Sequence, residues 1–339
     1  MATIFDILTS VRNEVPDLSS LPEASVTTFD EYARAITNYD VQNNPFIDAL
    51  MHKIGKTIIE QKLFHNKLAR FKRGDILSAQ DVEEIFVGMT KAEGQYDPAG
   101  SNPLGRREPP DTQVIYHREN RRDKYVTTVG DIDFRKAFRS PAQLEQFVRG
   151  LINSVYSQAA YDEWLLMRKL VFTGMEDAPV YKTPYITSDD TLSVNEFLRV
   201  ARTASLDLTF ASEKFNKAGV MTCTDTANQV CFLNKDVLGY VDVYALAHAF
   251  NKKDTDFVTE VITLDTMGEQ TYTDGGVEYV PLAVIADKDW LRVWDTLSTM
   301  EPQRNADGLF TNWFYHVHQI MSLSHFKNAV VIAMPKTAG

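Results

Sequence analysis

The stretch from Gly88 to Thr128 limits this chain more than any other. Its first part, QYDPAGSNPLGRREPPD, holds four prolines and three glycines counted from Gly94. Proline removes a backbone donor and fixes φ, so neither a helix nor a central strand survives there. The chain then turns into TQVIYHRENRRDKYVTTV. Gln113–Tyr116 and Tyr125–Thr128 read as strands, with Glu119–Asp123 as a charged turn between them. Little in this stretch can form a core of its own. It is expected to be a long protruding hairpin with a proline-stiffened tip. Long loops of this kind are uncommon in compact domains and tend to carry function. Their exposed strand edges are avoided by monomers and used by assemblies.

The rest of the chain gives that hairpin a body. Ser140 is a good N-cap, Pro141 suits the first helical position, and Gln143 completes a capping box. Gly174 is a plausible terminator. About 32 residues between them make a helix on the order of 48 Å long. Leu144, Val148, Leu151, Val155, Ala159, Leu166 and Leu170 form one stripe, and Trp164, Leu165, Met167 and Val171 make the second half apolar all round. Gly150 reads as a position of close approach. Before this helix, residues 1–45 read as an extended arm with a short helix near Asp30–Ile36, able to lie on a neighbouring subunit. Phe46–Leu63 reads as a helix. Phe64–Gly74 is basic, with Lys67, Arg70, Lys72 and Arg73 either solvated around Phe71 or paired with acidic groups.

After a loop at 175–190, a second α/β region runs to about residue 310. It holds a helix at Asn195–Ala204, a short strand at Val230–Leu233, and a helix capped by Asn234. Phe257–Leu264 and Val277–Ala286 are strand-like, with Asp274-Gly275-Gly276 as a turn. Asp287 is expected to cap a further helix with Trp290, Leu291, Trp294 and Leu297 on its buried side. Trp313–Met321 and Phe326–Met334 are expected to pair as a terminal hairpin that closes the first domain around the inserted region.

Chemistry is thin. No phosphate-cradling loop, nucleophile elbow or His-Glu-x-x-His motif occurs. His316 and His318 share one face of a strand, a spacing that can bind metal, yet no acidic residue or cysteine lies near them in sequence. Asp287 and Asp289 are explained by capping. Cys223 and Cys231 match no zinc spacing and have no evident activating partner. They read as reduced cysteines of a cytoplasmic protein, and no signal peptide or membrane span is evident. Acidic residues number 46 against 35 basic, a net charge of −11, which excludes general nucleic-acid coating. Arg118, Arg121 and Arg122 are interleaved with Glu119 and Asp123, so they suit acidic groups on another subunit, or a solvated turn, better than phosphates. Arg106, Arg107 and Tyr116 belong to the same set of expected inter-subunit contacts. No catalytic, cofactor or metal residue is assigned.

The sequence resembles the major capsid proteins of tailed phages, with the HK-ninety-seven-like shell fold. The order of arm, hairpin, long helix, inserted α/β region and returning strands carries the match. Four stretches resemble the small short-tailed phages of the phi-twenty-nine group: FIDALMHKIGKTIIEQKLFHNKLARFKRGDIL (Phe46–Leu77), VEEIFVGMTKAEGQYDP (Val82–Pro98), YHRENRRDKYVTTV (Tyr116–Val129) and TNWFYHVHQIMSLSHFKNAVVI (Thr311–Ile332). The resemblance implies an α+β fold divided into an N-terminal arm (1–45), a peripheral-domain helix and basic segment (46–87), an elongated loop (88–128), a spine helix and peripheral domain (129–189), an axial domain (190–310) and returning peripheral strands (311–339). It implies a non-enzymatic protein of the virion. Many copies, as pentamers and hexamers, form an icosahedral or prolate head around double-stranded DNA, aided by scaffolding and portal proteins, with assembly in the host cytoplasm and no membrane partner. The net negative charge is expected to keep DNA from adhering to the wall. Some relatives add an immunoglobulin-like domain after the last strand, which this sequence does not show. No residue pair is singled out for the lysine–asparagine crosslink of some distant members. An encapsulin-like compartment and a metal-dependent hydrolase using His316 and His318 are the alternatives.

Overall fold

A computed structural model describes residues 4–14, 21–38, 64–76, 81–90, 98, 110–137, 139–184, 191–240 and 260–336. Its organising element is the long helix α4 (Pro141–Gly174, 34 residues). It begins as the capping residues require: Ser140 is extended and its side chain accepts from the Gln143 N–H. It ends at Gly174 for a reason other than a left-handed turn. A Cβ there would lie 2.4 Å from the Trp290 ring and 2.5 Å from Leu323 Cδ1. Gly174→Ala is therefore expected to cost about 1–3 kcal/mol by overpacking against a rigid indole, read as a lower thermal midpoint. Gly150 is not such a position, because a Cβ there meets nothing within 4 Å in this chain.

Two sheets meet along α4. The first has the order β1 (Lys72–Asp75), β10 (Leu291–Asn305), β11 (Phe310–Leu323), β4 (Arg121–Gly130). On β11 the residues alternate, so Trp313, Tyr315 and Val317 face Leu144, Val155, Tyr156 and Ala159 of α4. The second sheet has the order β5 (Val180–Lys182), β12 (Ala329–Pro335), β9 (Val277–Asp287), β6 (Gln229–Asn234), β7 (Val261–Leu264), with β8 (Tyr272–Asp274) also on β9. It is covered on both faces. Cys231, Leu233, Ala283, Ile285, Val330 and Ile332 meet α5 (Thr191–Asp207). Val230, Phe232, Val284, Ala286 and Val331 meet Met167, Val171 and Met175 at the end of α4. Burial on both sides explains why these strands read as continuous apolar runs.

The structure corrects several sequence expectations. The hairpin pairs β2 (Val82–Val87) with β3 (Thr112–His117), not 113–116 with 125–128. β4 instead runs antiparallel to β11, from Gly130 opposite Phe310 to Arg121 opposite Gln319. Asp287 makes a tight turn, its Oδ1 accepting from the Asp289 N–H at 2.8 Å, and then a strand rather than a helix. A bulge between Asp295 and Leu297 shifts the register of β10 on β11. The inward positions pass from Leu291 and Val293 to Met300, and Trp294 is buried on the other face beside His117, so Leu291 and Trp294 imitate helical spacing. β11 and β12 belong to different sheets, so no terminal hairpin forms, and β10 joins the sheet of β4 rather than the α/β region.

At the N-terminus, α1 (Ile4–Glu14) and α2 (Phe29–Asn38) place Leu8, Phe29 and Tyr32 in this chain's own core. The described part of the arm is thus folded back, because three buried apolar side chains suffice to hold it. The remaining helices are α3 (Asp131–Ala137) and α6 (Lys235–Tyr240), the latter preceded by Asn234 as anticipated. The expected helix at 46–63 lies outside the described residues.

Candidate subunit interface

Directly opposed residues of an antiparallel pair share a face. On the β2–β3 hairpin, Glu84, Phe86, Ile115 and His117 therefore point towards the body, and Phe86 packs on Phe326 with ring centroids 5.4 Å apart. The other face carries Ile85 opposite Val114, Val87 opposite Thr112, and Glu83 opposite Tyr116. These side chains are open to solvent: Ile85 57 %, Val87 57 %, Val114 41 % and Tyr116 58 % exposed. Tyr116 donates to Glu83 Oε1 at 3.2 Å, which ties the two strands without hiding the ring. A contiguous apolar face on a two-stranded ribbon is what an interaction surface requires and what a lone subunit gains nothing from.

The hairpin is anchored by a buried polar cluster. His117 Nε2–H donates to Glu84 Oε2 at 3.0 Å, and Nδ1 accepts from the Ser322 hydroxyl at 2.8 Å. Glu84 Oε1 also accepts from Ser324 and from Arg292, each at 2.7 Å. The residue types are those of a hydrolytic triad, but the arrangement is not. In such triads Nε2 faces the serine and Nδ1 the acid. Here the ring is reversed and His117 is buried. Burial would lift the Glu84 carboxyl, yet His117, Ser324 and Arg292 outweigh it and hold it below the ordinary range. Sequence inspection missed this cluster. Only the inward parity of Glu84 and His117 on alternating strands could have signalled it.

The predicted arginines separate into two kinds. Arg121 is buried, and its donors are met within the chain by Asp123 (2.6 Å), Gln319 (2.6 Å), Tyr125 (2.9 Å) and the Ala159 carbonyl (3.2 Å). It is a strut between β4, β11 and α4, which corrects its assignment to a neighbouring subunit. Arg122 is exposed and pairs with Glu119 at 2.5 Å. Arg118 is exposed and pairs with Asp81 at 3.2 Å. Tyr116 lies on the outward hairpin face. Arg106 and Arg107 lie outside the described residues.

The strut continues into the basic segment at 64–74, where Arg70, Lys72 and Arg73 find acids in the same chain. Gln319 Nε2 donates to Glu163 (2.7 Å) and Asp295 (2.5 Å), Lys72 lies 3.0 Å from Glu163 and 2.7 Å from Asp295, and Asn66 donates to Glu163 at 2.8 Å. Arg73 meets Asp289, and Arg70 meets Glu260. Burial would raise the Glu163 carboxyl, but Lys72, Gln319 and Asn66 together hold it low.

His316 and His318 do project from one face of β11, and His318 lies 3.5 Å from Glu119. Among the described residues no group of three or more His, Cys, Asp or Glu is placed to hold a metal ion. Cys231 is buried and its thiol is pushed up to about 12 by that burial, while Cys223 is exposed. No helix among the described residues is long and apolar enough to cross a membrane.

A long helix, two sheets and a separate two-stranded hairpin anchored beside them together make the fold of tailed-phage capsid subunits. The chain superposes with a TM-score of 0.63 on a chain from the capsid structure of Staphylococcus phage Andhra, at 14 % identity over 80 % of this chain and 84 % of that one. It superposes with a TM-score of 0.58 on a chain from the native bacteriophage P68 structure of head fiber and inner core protein, at 17 % identity over 79 % and 84 %. At the level of sequence, residues 7–333 match the model of the Phi29-like phage major capsid proteins, and the chain belongs to that family. The major capsid protein of Bacillus phage B103 is 32 % identical over 96 % of this chain and 72 % of its own length. That of Bacillus phage PZA is 33 % identical over the same shares. The chain is thus a major capsid protein of a phage head, and its partners in the virion are copies of itself.

Proposed function

We propose that copies of this chain close into an icosahedral or prolate head around double-stranded phage DNA, and that the outward face of the β2–β3 hairpin is the principal contact. That face rests on the long helix and the β4–β11 sheet of a neighbouring copy. The α/β region that follows residue 190 gathers around the centres of pentamers and hexamers. A scaffolding protein and a portal assist assembly in the host cytoplasm. DNA is held by enclosure, and the net charge of −11 disfavours its adhesion to the wall. The wall has no catalytic task.

One observation carries this reading: four apolar or aromatic side chains stand open on one face of a ribbon that is itself firmly anchored. Full burial of such a side chain contributes roughly 1.5–3 kcal/mol, so the face is worth several kcal/mol only when something covers it. Arg118 and Arg122 are exposed and paired within the chain with Asp81 and Glu119, and exchanging these for a neighbour's acids adds about 0–1 kcal/mol each, enough only to fix register. The test is removal of Asp97–Glu108 between the two strands. The shortened subunit is expected to remain soluble with an unchanged circular dichroism spectrum and to form no shells by electron microscopy. Shells of normal appearance would refute the hairpin's role.

A further inference from the structure

Glu84 stands where the hairpin leaves the body, and donors converge on it from separate stretches of chain. His117 reaches it from β3, Arg292 from β10, and Ser324 from the turn after β11. His117 is pinned in turn by Ser322, and its ring lies 5.7 Å from that of Trp294. The other charges that face this cluster are His325 and Lys327, and, beyond Arg292, Arg73, Asp287 and Asp289. Apolar contacts alone would let a two-stranded ribbon slide or swing, because they have no direction. Hydrogen bonds to one carboxylate fix a direction, and a fully satisfied buried network specifies a single arrangement.

We propose that Glu84 is the positioning residue that sets the angle at which the hairpin leaves the subunit, and through that angle the curvature of the shell. The inference rests on reading the hairpin as the contact between copies. In a closed shell of pentamers and hexamers each subunit meets its neighbours at one of a few small tilts. A hairpin free to swing beyond those would join neighbours outside that set and close into particles of several sizes. Glu84 is suited to prevent this because it joins β2 to three stretches at once. The carboxylate is an acceptor only, which suits a site facing three donors. Glutamine cannot replace it: its amide would turn a donor towards His117 Nε2–H or towards Ser324 and Arg292. Acid has the same effect. The carboxyl is held below its ordinary range, so the hub persists above that range and is lost as pH falls through the lowered value. Protonation of Glu84 puts a donor where the His117, Ser324 and Arg292 donors converge, so the carboxyl is the group whose protonation opens the hub.

Glu84→Gln tests this with two readouts that a general core role would not separate. Amide exchange in β2 and β3 is expected to rise about tenfold while that in α4 and β9 stays unchanged. Assembled particles are expected to vary in diameter under the electron microscope. Uniform particles of the parent size would overturn the proposal. So would a parallel rise in exchange across the whole chain, since Glu84 would then support the core at large. Ser324→Ala, which removes one donor and adds none, is expected to give the same local change at smaller size, and it decides the matter if Glu84→Gln does not fold. Uniform shells from Glu84→Gln, together with none from the Asp97–Glu108 deletion, would remove only the angle-setting role. Normal shells from both would remove the hairpin contact as well.

Discussion

A subunit carrying Ile85→Asp and Val114→Asp is expected to fold as the parent does and to form no shells. The two residues face each other on the outward side of the hairpin, where neither supports the subunit's own core. Placed there, two carboxylates repel across the ribbon by only about 0.2–1 kcal/mol, so the free subunit changes little. In the assembly they would be pressed unpaired against a neighbour. Leaving an uncompensated charge at a buried contact costs about 3–5 kcal/mol. At roughly 1.4 kcal/mol per factor of ten, each contact weakens by about a hundredfold to several thousandfold. A shell repeats the contact many times, so assembly at ordinary concentrations should vanish. Sedimentation velocity would show a single slow species. Paired Ile85→Thr and Val114→Thr changes, which keep β propensity without charge, should assemble at raised concentration. Wild-type assembly by the aspartate variant would mean that this face stays wet in the particle.

The second large effect concerns the strut beneath the long helix. Lys72→Met removes the only cation within 4 Å of Glu163 among the described residues and leaves Glu163 beside Asp295. The expected loss is about 3–5 kcal/mol, because a buried carboxylate is left without its counter-charge. For a chain of this size the thermal midpoint should fall by roughly 4–7 °C. Its pH dependence gives a second check. The low carboxyl of Glu163 contributes stability that is present above the ordinary carboxylate range and lost as pH falls through the lowered value. Parent and variant should therefore differ most near neutrality and converge in acid. A difference independent of pH would show that Lys72 acts through its aliphatic stem.

Much of the body was legible because local signals agreed with the tertiary outcome. Ser140, Pro141 and Gln143 announce α4, and the apolar runs at 230–233, 277–286 and 326–334 announce strands buried on both faces. The errors have physical causes. β10 is covered on both faces near its start, with Leu291 in the core and Trp294 against His117, so its apolar residues recur as on a helix. The strand VEEIFV at 82–87 carries two glutamates, one of them buried, so no clean alternation marks it as the partner of 112–117. The proposed contact face was legible in part. Tyr116 stands out as an aromatic on an exposed strand, and Arg118 and Arg122 are on the surface as expected. Arg121 looks identical in sequence but is buried by Gln319, which lies 198 residues away. Glu84 finds Ser324 across 240 residues, a contact no local pattern encodes.

The most direct measurement is photocrosslinking from a benzophenone side chain placed at position 116 in assembled particles. Tyr116 is 58 % exposed and points away from its own subunit. The expected product is a covalent dimer whose second peptide maps to the long helix or to the β4–β11 sheet of another copy. Labelling confined to the same chain, or none above the level of the free subunit, would contradict the claim that one copy's hairpin is covered by the next.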